Sequence, residues 1–146
     1  MTPASEGALP PAPADEALAE FSARCDAIEE AYEFMLAYAA QGLPSEEGSA
    51  SGSQIREFLR KCDVALTGLG EALIGCVRRL EIPSPAPYDA FIGVVERDVR
   101  SAQAAVQLVL AQPAIGSQLV DNLNASIHLR ALLTDLFLLD EVLKKK

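Results

Sequence analysis

Three kinds of side chain in this sequence could do chemistry. They are a single histidine, His128; three cysteines, Cys25, Cys62 and Cys76; and many carboxylates in the first third of the chain. A di-metal carboxylate bundle needs inward glutamates and Glu-x-x-His pairs, so that residues one turn apart reach the same ion. The residues three and four before His128 are Ala125 and Asn124, so that pattern is missing. A phosphotransfer helix needs an exposed mid-helix histidine followed by a small stretch containing Lys and Gly. His128 is followed instead by Leu-Arg-Ala-Leu.

The cysteines form no Cys-x-x-Cys pair, and a structural zinc site needs about four Cys or His ligands. Each cysteine falls on an apolar helical row, where a thiol packs as a small hydrophobe and does not readily ionise. An odd number of cysteines with no disulfide framework points to a reducing, cytoplasmic compartment. Gly48-Ser-Ala-Ser-Gly52 has the composition of a linker, and no Gly-rich phosphate cradle occurs. The sequence therefore predicts a protein that is not an enzyme, with no catalytic residue, no metal and no cofactor.

Charge is the strongest remaining signal. The net charge is −9, and all of it belongs to residues 1–47, which hold ten acidic residues against Arg24 alone. Such a balance argues against nucleic acid and anionic membrane surfaces as partners. Asp26, Glu30 and Glu33 are predicted to face outward and to bind a protein partner with a basic surface. An antiparallel hairpin of the first two helices should bring Glu33 near Arg60 and Lys61, and Glu16 and Glu20 near Arg78 and Arg79. A second candidate is a polar patch near the start of the last helix. Asp121, Asn124, His128 and Asp135 share a stripe at three-, four- and seven-residue spacing. The plain reading of that stripe is a solvated face; the sharper one is a patch that fixes a partner or small ligand.

The elements that must position these groups follow from apolar period. Leu18, Phe21, Cys25, Ile28, Tyr32, Met35 and Ala39 alternate steps of three and four, which predicts a helix over 15–41 capped by Asp15. Residues 43–52 read as a flexible polar connection. Ile55, Leu59, Cys62, Leu66, Leu69, Leu73, Cys76 and Leu80 keep the same alternation and predict one helix over 53–81. Gly68, Gly70 and Gly75 lie inside it, which suggests close helix approach or room for a small apolar ligand. Three alternating prolines, Pro83, Pro85 and Pro87, break the chain. Tyr88, Ile92, Val95, Val99, Ala102, Val106 and Val109 predict a third helix over 88–112. Leu129, Leu132, Leu136, Leu139 and Leu143 form the seam of a fourth over 117–144, with Lys144 to Lys146 at its negative end.

The expected architecture is all-α. It is an up-down-up-down antiparallel four-helix bundle over 15–146, preceded by a disordered Pro/Ala-rich tail over 1–14. No run of about 18 apolar residues suggests a membrane span. The fourth helix carries more apolar residues than one seam can use: Leu133, Phe137, Leu138 and Val142 are left over. They are predicted to form a homodimer interface. Together these features predict a non-enzymatic cytoplasmic interaction protein, adaptor- or chaperone-like, with a bundle that binds a small apolar ligand or cofactor as the first alternative and an enzyme with an unrecognised site as the last.

Overall fold

The computed structural model describes residues 13–143, with side chains from Glu16 onward. Among the described residues there are six helices and no strand. They are α1 (Pro13–Ala40), α2 (Gly52–Leu66), α3 (Leu69–Arg79), α4 (Ala86–Leu110), α5 (Ser117–Ala125) and α6 (His128–Leu143). The chain is therefore all-α, but the expectation of four continuous helices needs correction at two places. The expected tail lies outside the described residues except for its end, since Pro13 and Ala14 already belong to α1. Asp15 accordingly sits inside the first turn rather than ahead of it. Lys144 to Lys146 also lie outside the described residues.

The first interruption falls between α2 and α3. Thr67 is extended, and Gly68 takes φ 87°, a left-handed conformation that glycine adopts without a side-chain clash. The apolar rhythm continues across the break, because Leu66 and Leu69 are both buried. That continuity is why the sequence pattern reads as one helix. Arg24 of α1 supports the break from outside: its Nη1 donates to the carbonyls of Val64, Ala65 and Thr67. Those are carbonyls that a helix end leaves without an internal partner. The second interruption is at Ser126 and Ile127, where Ile127 takes φ 64°. A β-branched residue is strained there. Ser126 Oγ donates to the Leu123 carbonyl and helps close the end of α5.

Contacts across the helices give their directions. Phe58 stacks on Phe34 with ring centroids 4.2 Å apart, whereas Arg24 meets residues 64–67, so α1 and α2 run antiparallel. Arg56 reaches Leu110 while Asp63 meets Gln103, so α2 and α4 are antiparallel too. α1 packs on α2, α3, α5 and α6; α4 packs on α2, α3, α5 and α6. The shared core runs from Phe21, Ile28, Ala31, Met35 and Tyr38 of α1 through the apolar rows of the other helices. The expected α1 row is shifted: Leu18 is 52% exposed, Cys25, Tyr32 and Ala39 are only partly buried, and Ala31 and Tyr38 take core places.

The connection over 43–52 is held in place, contrary to the expectation of a flexible linker. Leu43 N–H donates to Ser117 Oγ, Ser117 N–H donates to the Leu43 carbonyl, and Ser117 Oγ donates to the Tyr38 carbonyl. Tyr38 Oη donates to the buried Ile115 carbonyl at 2.6 Å. Glu46 accepts from both Arg56 and the Ile115 backbone N–H, while Arg56 also donates to the carbonyls of Leu110 and Gln112. Those hydrogen bonds, led by Arg56, hold the Glu46 carboxyl below the usual glutamate range. Gly116 lies so close to Pro44 that an added Cβ would sit 2.6 Å from its carbonyl oxygen.

Candidate functional site

On α6, Leu129, Leu132, Leu136 and Leu139 point into the core as their seven-residue rhythm requires. Leu133, expected at an interface, is only 4% exposed and belongs to the core, which corrects that assignment. The reason is geometric: α6 packs between α4 and α1, so its buried stripe is wide enough to take a residue one step around from Leu132. The other three remain outside. Phe137 is 56% exposed, Leu138 53% and Val142 36%, and Ile127 just before the helix is 51% exposed.

The acidic face behaves differently. Asp26, Glu30 and Glu33 are all exposed on α1. They are not alone, because Asp140 of α6 lies near Glu29 and Cys25. Partial burial, followed by the charges of Asp26, Glu33 and Asp140, pushes the Glu29 carboxyl above its usual value. Phe137 lies three residues before Asp140, one turn away along the same helix. The expected pairings of Glu33 with Arg60 or Lys61, and of Glu16 or Glu20 with Arg78 or Arg79, are not among the ion pairs of the described residues. Those are Arg24–Glu20, Arg56–Glu46 and Lys61–Glu57.

The four residues of the polar stripe are not brought together. The break at Ser126 and Ile127 falls between Asn124 and His128, so that four-residue step no longer means one face; within α6, His128 stands exposed at the first position while Asp135, two turns on, is half-buried. Asp121 and His128 are exposed. Asn124 turns toward α1 and donates to the Met35 carbonyl at 3.3 Å. Asp135 turns toward α4 and faces Asp98. Asp135 Oδ2 is buried, and its partner Asp98 is another carboxyl, so an ionised pair would have acceptors on both sides and no donor. Burial, and then hydrogen bonding and repulsion from Asp98, raise the Asp135 carboxyl to about 7. Asp135 thus keeps a proton well above the range where exposed aspartates lose theirs. Sequence spacing gives no sign of this pair, since its members are 37 residues apart.

All three cysteines are free thiols. Burial raises Cys25 and Cys62 to about 12 and pushes Cys76 upward as well, so none is poised as a thiolate. Among the described residues no group of three His, Cys, Asp or Glu is arranged to hold a metal ion. No helix among them is long and apolar enough to cross a membrane.

Two concavities among the described residues bear on a ligand or partner site. One, of about 270 Å³, lies where α2 gives way to α3, against α4. It includes Gly68 and Gly70 but not Gly75 of the three glycines singled out in the sequence, and Glu71, Glu96, Arg100 and Gln103 make much of its lining charged or polar. The other is an open groove of about 550 Å³ between α1 and α2. Its lining joins Ala23, Ala27, Val64 and Ala65 to the charged side chains of Glu20, Arg24, Glu57, Arg60 and Lys61. Comparison with protein-family models, with curated proteins and with solved structures finds no match for this chain.

Proposed function

We propose that this chain is a non-enzymatic, cytoplasmic interaction protein, adaptor- or chaperone-like, that self-associates through α6. In this reading α2 with α3, and α5 with α6, are two interrupted rods, and the six helices make an up-down-up-down four-rod bundle. The antiparallel contacts of neighbouring helices support that reading. Three free thiols fit a reducing compartment.

The observation that carries the function is the outer surface of α6. Its inner rows are already satisfied by the core, yet Phe137, Leu138 and Val142 stand in solvent. Contiguous apolar surface of this kind marks an association site, and a two-fold dimer is the commonest closed solution. The exposed carboxylates Asp26, Glu30 and Glu33 would then be left for a second protein with a basic surface, raising its association rate more than its affinity.

Sedimentation equilibrium at micromolar concentration tests this. The wild type is expected to dimerise, and Phe137→Glu and Leu138→Glu to give folded monomers, because both residues are more than half exposed. A wild type that remains monomeric at high concentration overturns self-association.

A further inference from the structure

The two helices that meet at Ser126 and Ile127 are held differently. α5 is tied down by hydrogen bonds: Asn124 donates to the Met35 carbonyl, and Ser117 exchanges hydrogen bonds with Leu43. The joint itself bonds only locally among the described residues. Ser126 and Ile127 donate to carbonyls of Asn122, Leu123 and Asn124, and the Ile127 carbonyl accepts from Ala131. Ile127 stands half exposed at φ 64°, which a β-branched residue holds only under constraint. A pivot at this point would release that strain and leave α5 in place.

Beyond the joint, α6 meets its neighbours through buried leucines and through carboxyl groups. On the α4 side Asp135, midway along α6, faces Asp98. Its Oδ2 is buried against that second carboxyl, so the pair has a donor only while one of the two is protonated. On the α1 side Asp140 lies near Glu29 and Cys25, with Asp26 and Glu33 close to Glu29. On α5, the third helix packed against α6, Asp121 is exposed. His128 and Arg130 of α6, and Arg97 and Arg100 beside Asp98, are exposed as well. Among the described residues, the group whose charge and hydrogen bond act on Asp135 is Asp98.

We propose that α6 is a proton-latched arm: a protonated Asp135 donates to Asp98 and holds α6 on α4, and loss of that proton lets α6 pivot at Ser126–Ile127 and open from the bundle. Two ionised carboxylates facing each other repel and lack a donor, and the crowded carboxylates around Asp140 and Glu29 push the same way as they ionise. The transition falls where Asp135 titrates, at about 7. The buried row of Leu129, Leu132, Leu133, Leu136 and Leu139 still favours the docked state, so the proton changes how often α6 opens rather than leaving it open. Opening would bare that row, a second apolar face besides Phe137, Leu138 and Val142. The latch does not rest on self-association through α6.

Native-state hydrogen exchange of the full chain tests this, at pH 5.5 and pH 7.5, with each rate divided by the intrinsic rate of the free chain. Amides of residues 132–143 should be less protected than those of 55–66 in α2, and their exchange should depend only weakly on low concentrations of urea, the mark of an opening smaller than global unfolding. Their protection should fall roughly tenfold between the two pH values. Asp135→Asn and Asp98→Asn should each abolish that fall, since either amide supplies an N–H to the remaining carboxylate; if one variant misfolds, the other decides. Phe137→Glu should keep the wild-type response. The proposal is overturned if α6 exchanges with the opening free energy and urea dependence of α2, because the two are then one cooperative unit. It is overturned equally by α6 protection that ignores pH, or by a pH response that survives both asparagine variants. A response lost in Phe137→Glu would assign it to the dimer, overturning the latch and leaving self-association intact. A wild type monomeric in sedimentation that still shows the response would do the reverse.

Discussion

Replacing Asp135 by Asn should stabilise the protein at pH 8 and flatten its stability between pH 5 and pH 8. Asp135 faces Asp98 across the α4–α6 contact, and its carboxyl is raised to about 7 from the ordinary aspartate value. In the unfolded chain the same group ionises near pH 4. Between those two values the folded state holds a proton that the unfolded state has released. Stability from this group is therefore full at low pH, falls as pH rises from about 4 to about 7, and is lost above that. The gap between ionisation near pH 4 unfolded and about 7 folded, at 1.36 kcal/mol per pH unit, sets a ceiling near 4 kcal/mol. The carboxyl is only partly buried and solvent screens the pair, so about 1–2 kcal/mol is expected. Asparagine has nearly the same shape, cannot ionise, and offers an N–H to Asp98. Urea unfolding of both proteins at pH 5 and pH 8 measures the difference, and with a slope of about 2 kcal/mol per molar the midpoint at pH 8 should rise by roughly 0.5–1 M. Comparing the two proteins cancels other titrating groups, including Glu29, which works in the same direction, and Glu46, whose lowered carboxyl works in the opposite one. A wild type and variant with parallel pH profiles, or a variant less stable at pH 8, would refute the reasoning.

The remaining expectations concern packing and backbone. Leu66→Ala removes a side chain that is 1% exposed beside the α2–α3 break and should cost about 2–5 kcal/mol by chemical denaturation. Gly116→Ala places a methyl 2.6 Å from the Pro44 carbonyl oxygen, so the 43–52 connection must move; a loss of about 1–3 kcal/mol is expected, read as a lowered melting temperature. Ile127→Gly relieves a left-handed β-branched residue whose side chain is half exposed, and should leave stability unchanged or raise it by up to about 1 kcal/mol; a large loss would show that Ile127 packs more than it strains. Arg24→Ala leaves three carbonyls at the end of α2 to solvent and should cost about 1–2 kcal/mol, with faster amide exchange at residues 67–72.

The helices and most of the core were legible because apolar period is a local property. Ile55 to Cys76, Ile92 to Val109 and Leu129 to Leu139 are buried where their three–four rhythm places them. The surplus apolar residues Phe137, Leu138 and Val142 were legible for the same reason: a helix has only one inner face. Tertiary structure decided everything that depended on which helix lies beside which. It drew Leu133 into the core and left Leu18 in solvent, because the width of a buried stripe is set by the neighbours that flank it. It placed both helix breaks: Thr67–Gly68 interrupts the backbone without shifting the apolar rhythm, while at Ser126–Ile127 the buried row steps six residues, from Leu123 to Leu129, and leaves Ile127 half exposed. At the first of them the freed carbonyls are met by Arg24, distant in sequence. It left Asp121 and His128 in solvent, turned Asn124 toward α1 and joined Asp135 to Asp98. The groove between α1 and α2 is likewise a product of packing: its alanines have no outward signature in the sequence, and join one lining only when a second helix brings Val64, Arg60 and Lys61 beside them.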